Sequence, residues 1–189
     1  MKKLTAILLV ISLLISSVAI SAVAVSGNIP DDVIAMSSQV AVEIEQEGIV
    51  LLKNDGVYPL STEERILLTG SRDFLTCGTG SAGITTNRNT SFTDYIDGTY
   101  VGYDYDFEAY CKQIRNVHII LTATVSGMEG NDRPNMKIAA EDDLLLKKLI
   151  DFKKEYGCKL TLVLNVCGPV ELHEYEEDLD AVWCVFLPG

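Results

Sequence analysis

EDDLLLKKLIDFKKEYGCKLTLVLNV, residues 141–166, contains the change of period that sets the fold class. In its first part Leu145, Leu149, Phe152 and Tyr156 recur every three or four residues, the spacing of one helix face. Acidic residues begin the segment, lysines populate its later turns, and Gly157 supplies a stop, which is the polarity a helix dipole favours. LTLVLNV then runs almost continuously apolar until Gly168-Pro169 closes it. A strand apolar on both sides fits burial on both sides, as in a parallel sheet. The stripe on the helix is read as core rather than as a cofactor contact.

The same alternation extends outward. Upstream, DFEAYCKQIRN (106–116) reads as a helix and VHIILTATV (117–125) as a strand. RILLTG (65–70) is a second short apolar run, and IVLLKNDG (49–56) is a third, closed by the turn signal Asp55-Gly56. IPDDVIAMSSQVAVEIEQEG (29–48) reads as a helix, with Val33, Met36, Val40 and Ile44 at helical spacing and Gly48 as its stop. Downstream, VELHEYEEDLD is a short acidic helix or turn, and AVWCVFLPG a final strand. Strands alternating with helices predict an α/β fold: a mostly parallel sheet with helices on both faces, an incomplete three-layer sandwich. Ligands of such sheets gather at the carboxyl ends of the strands. Two irregular stretches, 71–92 and 128–140, follow strands and are expected at that rim.

The bulk properties exclude some functions. The 189 residues are 48% hydrophobic and 22% charged, a globular balance. A net charge of −12 argues against nucleic acid, whose phosphates need clustered Lys and Arg. Lys2 and Lys3 precede the apolar run 4–25, and Ala22-Val23-Ala24 fits a small-x-small cleavage site. Residues 1–24 are therefore expected to be a secretory signal peptide, with an uncleaved membrane anchor as the alternative. Either way the remainder, 25–189, is expected outside the cytoplasm, secreted or held on the outer face of the membrane.

Five cysteines (Cys77, Cys111, Cys158, Cys167, Cys184) form an odd, scattered set rather than a disulfide framework. Cys167 and Cys184 sit in apolar runs and are expected to be small core residues. With two histidines, His118 and His173, and no C-x-x-C pair, a zinc site is not expected.

Gly78, Gly80 and Gly83 in CGTGSAG (77–83) match the G-x-G-x-x-G dinucleotide fingerprint. That motif must sit directly between a strand and a helix, so that the helix N-terminus faces the pyrophosphate. Here SRDFLTC intervenes after the strand, and ITTNRNTSFT, no helix, follows Gly83. Nucleotide binding is therefore not expected. The second rim loop, SGMEGNDRP (126–134), places Glu129 between two glycines in a stretch that also carries Asp132 and Arg133. A carboxyl on such a loop suits a general acid, and Arg133 is positioned to pair with Asp132.

Taken together and in order, AVEIEQEGIVLLKNDGVYPL (41–60), GTGS (78–81), EGNDRPNM (129–136), LVLNVCGPVEL (162–172) and AVWCVFLPG (181–189) resemble the C-terminal α/β sandwich domain of glycoside hydrolase family 3. The resemblance covers nearly all of residues 33–189. It implies a retaining β-glycosidase of β-glucosidase type, needing no cofactor and acting on a β-linked glucoside or oligosaccharide. Such hydrolysis uses two carboxyl groups about 5–5.5 Å apart, one attacking the anomeric carbon and one serving as acid/base. By the resemblance Glu129 is the acid/base, Asp132 and Arg133 match the adjacent Asp-Arg pair, and Gly78, Gly80 and Ser81 match a small-residue loop along the sugar. The family's nucleophile is an Asp on a separate barrel, and a barrel needs at least about 200 residues. No stretch of this sequence supplies one. The chain is therefore expected to be a reversed-order or truncated member, inactive without a barrel in cis or trans. The alternative is a secreted, non-catalytic sugar-binding or vestigial module.

Overall fold

Strands apolar on both faces can be stable only inside a sheet, with backbone partners on either side and side-chain cover above and below. The computed structural model, which describes residues 29–74, 92–127 and 130–187, meets that demand with a six-stranded sheet. The sheet lies within the compact unit formed by residues 37–189. The elements in chain order are α1 (Asp31–Gly48), β1 (Val50–Asn54), β2 (Arg65–Gly70), a short 3-10 turn, β3 (Gly98–Tyr100), α2 (Phe107–Gln113), β4 (Val117–Val125), α3 (Ala140–Tyr156), β5 (Lys159–Val166) and β6 (Ala181–Val185). The spatial order is β1-β6-β5-β4-β2-β3. All neighbours are parallel except β1, which runs antiparallel to β6 along one edge.

β4 is the central strand. Residues Val117 to Leu121, together with Thr122 and Ala123, are all buried. Its register with β2 runs from Arg65↔Val117 to Gly70↔Thr122, and with β5 from His118↔Lys159 to Val125↔Val166. Helices α2 and α3 pack on one face: Phe107, Leu146 and Leu149 are sealed against Ile119, Leu121, Leu160 and Leu162. Each such fully buried side chain contributes about 1.5–3 kcal/mol relative to exposure. On the other face Leu68, Ile120, Val163 and Val185 cluster with Ile49, Ile66, Phe74 and Trp183.

Local chemistry accounts for the ends. Asp106 caps α2 by accepting the Ala109 N–H at 2.9 Å. α3 has no side-chain cap; three acids fill its first turn, two lysines its last, and Gly157 ends it in the left-handed conformation (φ 70°). After β1, the Asn54 side chain accepts the N–H groups of Gly56, Val57 and Tyr58, fixing the expected turn at Asp55-Gly56. The stretch VELHEYEEDLD forms turns, not a helix. α1 spans the segment expected, yet none of its residues is buried, and Val33, Met36, Val40 and Ile44 stay exposed. A 3.6-residue period reports helical geometry; it does not report what covers the stripe. β3 is three residues long and was not expected, because so short a strand carries no period.

At the amino edge of the sheet His118 is fully buried. Its Nδ1 lies 3.0 Å from Glu64 and its Nε2 2.8 Å from the Thr161 hydroxyl. The carboxylate can only accept, so Nδ1 carries the proton and Nε2 accepts from Thr161. Burial pushes the His118 pKa below its ordinary 6.5, against the pull of Glu64. Burial would raise Glu64, but hydrogen bonds from Lys159 and His118 outweigh it and hold the carboxyl below its ordinary 4.5. Tyr58 and Trp183 close the group edge-to-face, Tyr58 stacking on both His118 and Trp183.

Both shifts have the same sign for stability. A folded-state pKa below the unfolded value means that the unfolded chain binds the extra proton, so stability falls on acidification. His118 removes stability as pH drops below 6.5, and Glu64 adds its loss below 4.5. Melting temperature should decline from pH 7 to pH 5, and a His118→Gln variant, less stable throughout, should show a flatter decline over that interval. A second prediction concerns Gly70, whose φ is +84° and whose added Cβ would meet the Thr122 carbonyl oxygen at 2.2 Å. Gly70→Ala should cost about 3 kcal/mol or more in urea unfolding.

Candidate functional site: the carboxyl rim of the sheet

β2 and β4 are parallel neighbours, so the chain leaves both at the same edge. Ser71 and Ser126, the first residues past those strands, therefore open two adjacent rim segments. Ser71 N–H still bonds the Thr122 carbonyl at 2.9 Å, and β4 continues to Val125. β5 ends beside it, with Cys167 N–H on the Val125 carbonyl at 3.3 Å. A Cβ on Gly127 would sit 2.6 Å from the Cys167 sulfur, so a side chain there would need the exposed Cys167 side chain to turn away.

Of the residues singled out in the sequence, Gly78, Gly80, Ser81 and Glu129 lie outside the described residues. Asp132 and Arg133 lie in the segment after β4. No ion pair joins these two among the described residues. Asp132 is exposed, where water solvates its carboxylate, while Arg133 turns inward and donates from Nη2 to the Pro169 carbonyl at 2.6 Å. Its Nη1 is buried without a hydrogen-bond partner among the described residues. Together with the Glu171 N–H on the Met136 carbonyl at 2.8 Å, this contact ties the segment to the turn that follows β5. The expectation that Cys167 is a core residue is also corrected. Strand β5 stops at Val166, and Cys167, one residue later, is exposed at the rim; Cys184, within β6, is buried.

Three polar groups that hold the rim were not singled out in the sequence. Asp142, in the first turn of α3, is 2% exposed; it accepts the Tyr103 hydroxyl at 2.6 Å and the Thr124 backbone N–H. Burial raises its pKa, and burial together with that carboxylate raises the Tyr103 phenol. Asn165, fully buried near the end of β5, donates to the Phe186 carbonyl at 2.7 Å and fixes the exit of β6. The only signals in the sequence were a third acid where one suffices for a helix dipole and an Asn inside an apolar strand. Both are commoner as surface or cap features.

Between the ends of β2, β3 and β4 a cleft is lined by Leu68, Thr69, Ser71, Arg72, Tyr100 and Thr122. The Tyr100 hydroxyl donates to the Gly70 carbonyl at 2.6 Å, and the Arg72 guanidinium lies 5.4 Å from the Tyr100 ring centre. The cleft's cavity volume is about 10 Å³, room for about one water and far below the roughly 300–1,000 Å³ of pockets that enclose a small molecule. No group of three or more His, Cys, Asp or Glu able to hold a metal ion occurs among the described residues.

The fold has counterparts among solved structures. The family profile described as Glycosyl hydrolase family 3 C-terminal domain matches residues 49–189. This chain belongs to glycosyl hydrolase family 3. No curated protein matches it. Among solved structures it is similar in fold to the Chaetomium thermophilum beta-glucosidase (TM-score 0.60, 21% identity, covering 80% of this chain and 22% of that one). It is similar likewise to beta-glucosidase 3B from Thermotoga neapolitana in complex with glucose (TM-score 0.66, 21% identity, 82% and 27%). A third is the family 3 exo-beta-xylosidase XlnD in complex with a xylobiose aziridine probe (TM-score 0.63, 24% identity, 84% and 23%). The chain spans about a quarter of the length of these family 3 enzymes, and the shared part is the C-terminal domain.

The Asp142 contacts yield a prediction. Asp142→Leu removes the acceptor of the partly buried Tyr103 hydroxyl. It should destabilise the protein by about 1–3 kcal/mol. Asp142→Asn, which keeps an accepting oxygen, should cost markedly less in the same urea titration.

Proposed function

We propose that this family 3 chain is the extracellular acid/base half of a retaining β-glycosidase acting on β-linked glucosides or oligosaccharides. The observation that carries the reading is the adjacency of β2 and β4. It brings the segment that leads to Gly78, Gly80 and Ser81 to the same rim as the segment that leads to Glu129. In this reading Glu129 protonates the leaving oxygen and then takes a proton from the water that releases the sugar. The nucleophile is a carboxylate about 5–5.5 Å away. It comes from barrel polypeptide outside these 189 residues, in cis or in trans. Gly78 and Gly80 allow a sugar ring to approach the backbone, and Ser81 offers a hydroxyl to it. Arg133, anchored on the Pro169 carbonyl, holds the Glu129 segment in place, while the exposed Asp132 is free to accept a sugar hydroxyl. Location outside the cytoplasm follows from residues 1–24 acting as a cleaved export signal, with membrane attachment only where that segment is retained.

An aryl β-glucoside assay tests the proposal. The chain by itself should give no turnover, and turnover should appear when a family 3 barrel is supplied. In that assembly Glu129→Gln should slow a poor leaving group such as an alkyl glucoside by about 10²–10⁴-fold, while a dinitrophenyl glucoside is slowed far less in its first step. Robust hydrolysis by the isolated chain, or equal slowing of both substrates, overturns the assignment.

A further inference from the structure

The order of the strands reverses between β2 and β4. From β2 the chain goes on to β3, which pairs on the outer side of β2. From β4 it goes through α3 to β5, on the opposite side of β4. In open parallel sheets such a reversal leaves a crevice at the carboxyl ends of the two strands, and ligands bind there. The cleft lined by Leu68 of β2, Ser71 just past it, Thr122 of β4 and Tyr100 of β3 occupies that position. Its volume of about 10 Å³ takes a single oxygen atom rather than a ring.

Arg72 also lines the cleft and is exposed. Its guanidinium lies 5.4 Å from the centre of the Tyr100 ring. The Tyr100 hydroxyl is anchored on the Gly70 carbonyl at 2.6 Å, and Gly70 is packed closely on the Thr122 backbone. The cation is thus seated on a ring that is fixed to the sheet. Its sequence neighbour Asp73 is exposed. No carboxylate among the described residues pairs with the guanidinium. Contact through the ring leaves available the planar fork of N–H donors, which matches two oxygens of one anion. We infer that Arg72 and the cleft beside it form a binding site for an oxyanion carried by the ligand, a carboxylate or a sulfate ester. The fork holds two oxygens of the anion, and the cleft takes a further oxygen of the same ligand. The glycosidase reading enters only in making a sugar the carrier; on that reading the site favours acidic or sulfated sugars.

A neutral hydroxyl would use one N–H and leave the charge uncompensated. An oxyanion makes charge-assisted, two-pronged hydrogen bonds, about twice as strong as neutral ones. The chain's net charge of −12 opposes anions at long range, so the site supplies selectivity more than affinity. Binding in the millimolar range is expected.

The test uses the full chain without a barrel, so it does not depend on turnover. Methyl β-glucuronide, sodium sulfate and the neutral methyl β-glucoside are each titrated into isotope-labelled protein, and backbone amide shifts are followed. At least one of the two anions should move the amides of Ser71, Arg72 and Tyr100 and bind at least about fivefold more tightly than the glucoside. The tighter of the two names the oxyanion. Sodium chloride should weaken that binding. Arg72→Gln, at an exposed position and so expected to melt like the wild type, should weaken it by about tenfold. Arg72→Lys, which keeps the charge but not the fork, should restore only part of it. The inference is overturned if the glucoside binds as tightly as the anions, if Arg72→Gln leaves anion binding unchanged, or if neither anion moves the rim amides. Any of these results leaves the Glu129 assignment standing, because that rests on turnover in the barrel-completed assembly.

Discussion

The structure depends on the burial of β4 on both faces. Its side chains from Val117 to Ala123 are out of water, and its backbone groups bond to β2 on one side and β5 on the other. A backbone donor or acceptor buried without a partner costs about as much as a lost hydrogen bond. β4 therefore cannot form without both neighbours, and both of them run parallel to it. That constraint puts the carboxyl ends of β2, β4 and β5 in a row, and the family's sugar chemistry is read from what leaves that row.

Polar groups then lock the two ends of the central strands in different ways. At the amino edge, Glu64, His118 and Thr161 form a closed chain of hydrogen bonds with no side chain open to a substrate. The order of groups looks like a nucleophile, a base and an orienting acid, but Thr161 is fully buried, so the arrangement serves stability. At the carboxyl edge, Asp142 holds the Thr124 backbone and Asn165 holds Phe186, just before the chain enters the rim segments. A candidate proton donor on a loop needs such rigid footing, because proton transfer demands placement within hydrogen-bond reach of the leaving oxygen. Arg133 extends the footing into the loop itself.

Family membership says which domain this is. The matched region is the C-terminal domain, and the chain covers about a quarter of the solved enzymes of this fold. The solved structures of similar fold include both glucosidases and a xylosidase, so the shared sheet does not by itself name a substrate.

What the sequence by itself determined is the alternation of elements. RILLTG and VHIILTATV coincide with β2 and β4 residue for residue, because a continuous apolar run bounded by turn residues has few alternatives. Family membership was legible for the same reason: its motifs sit at the ends of those runs. Tertiary structure alone decided the rest. β3 exists because Ile66 and Leu68 offer a free strand edge to Gly98–Tyr100, not through any local period. Arg133 bonds the Pro169 carbonyl and not its neighbour Asp132, because packing brings together groups that are distant along the chain. Periodicity is a property of neighbouring residues, whereas a hydrogen bond from His118 to Glu64 or from Tyr103 to Asp142 exists only once the sheet has closed around it.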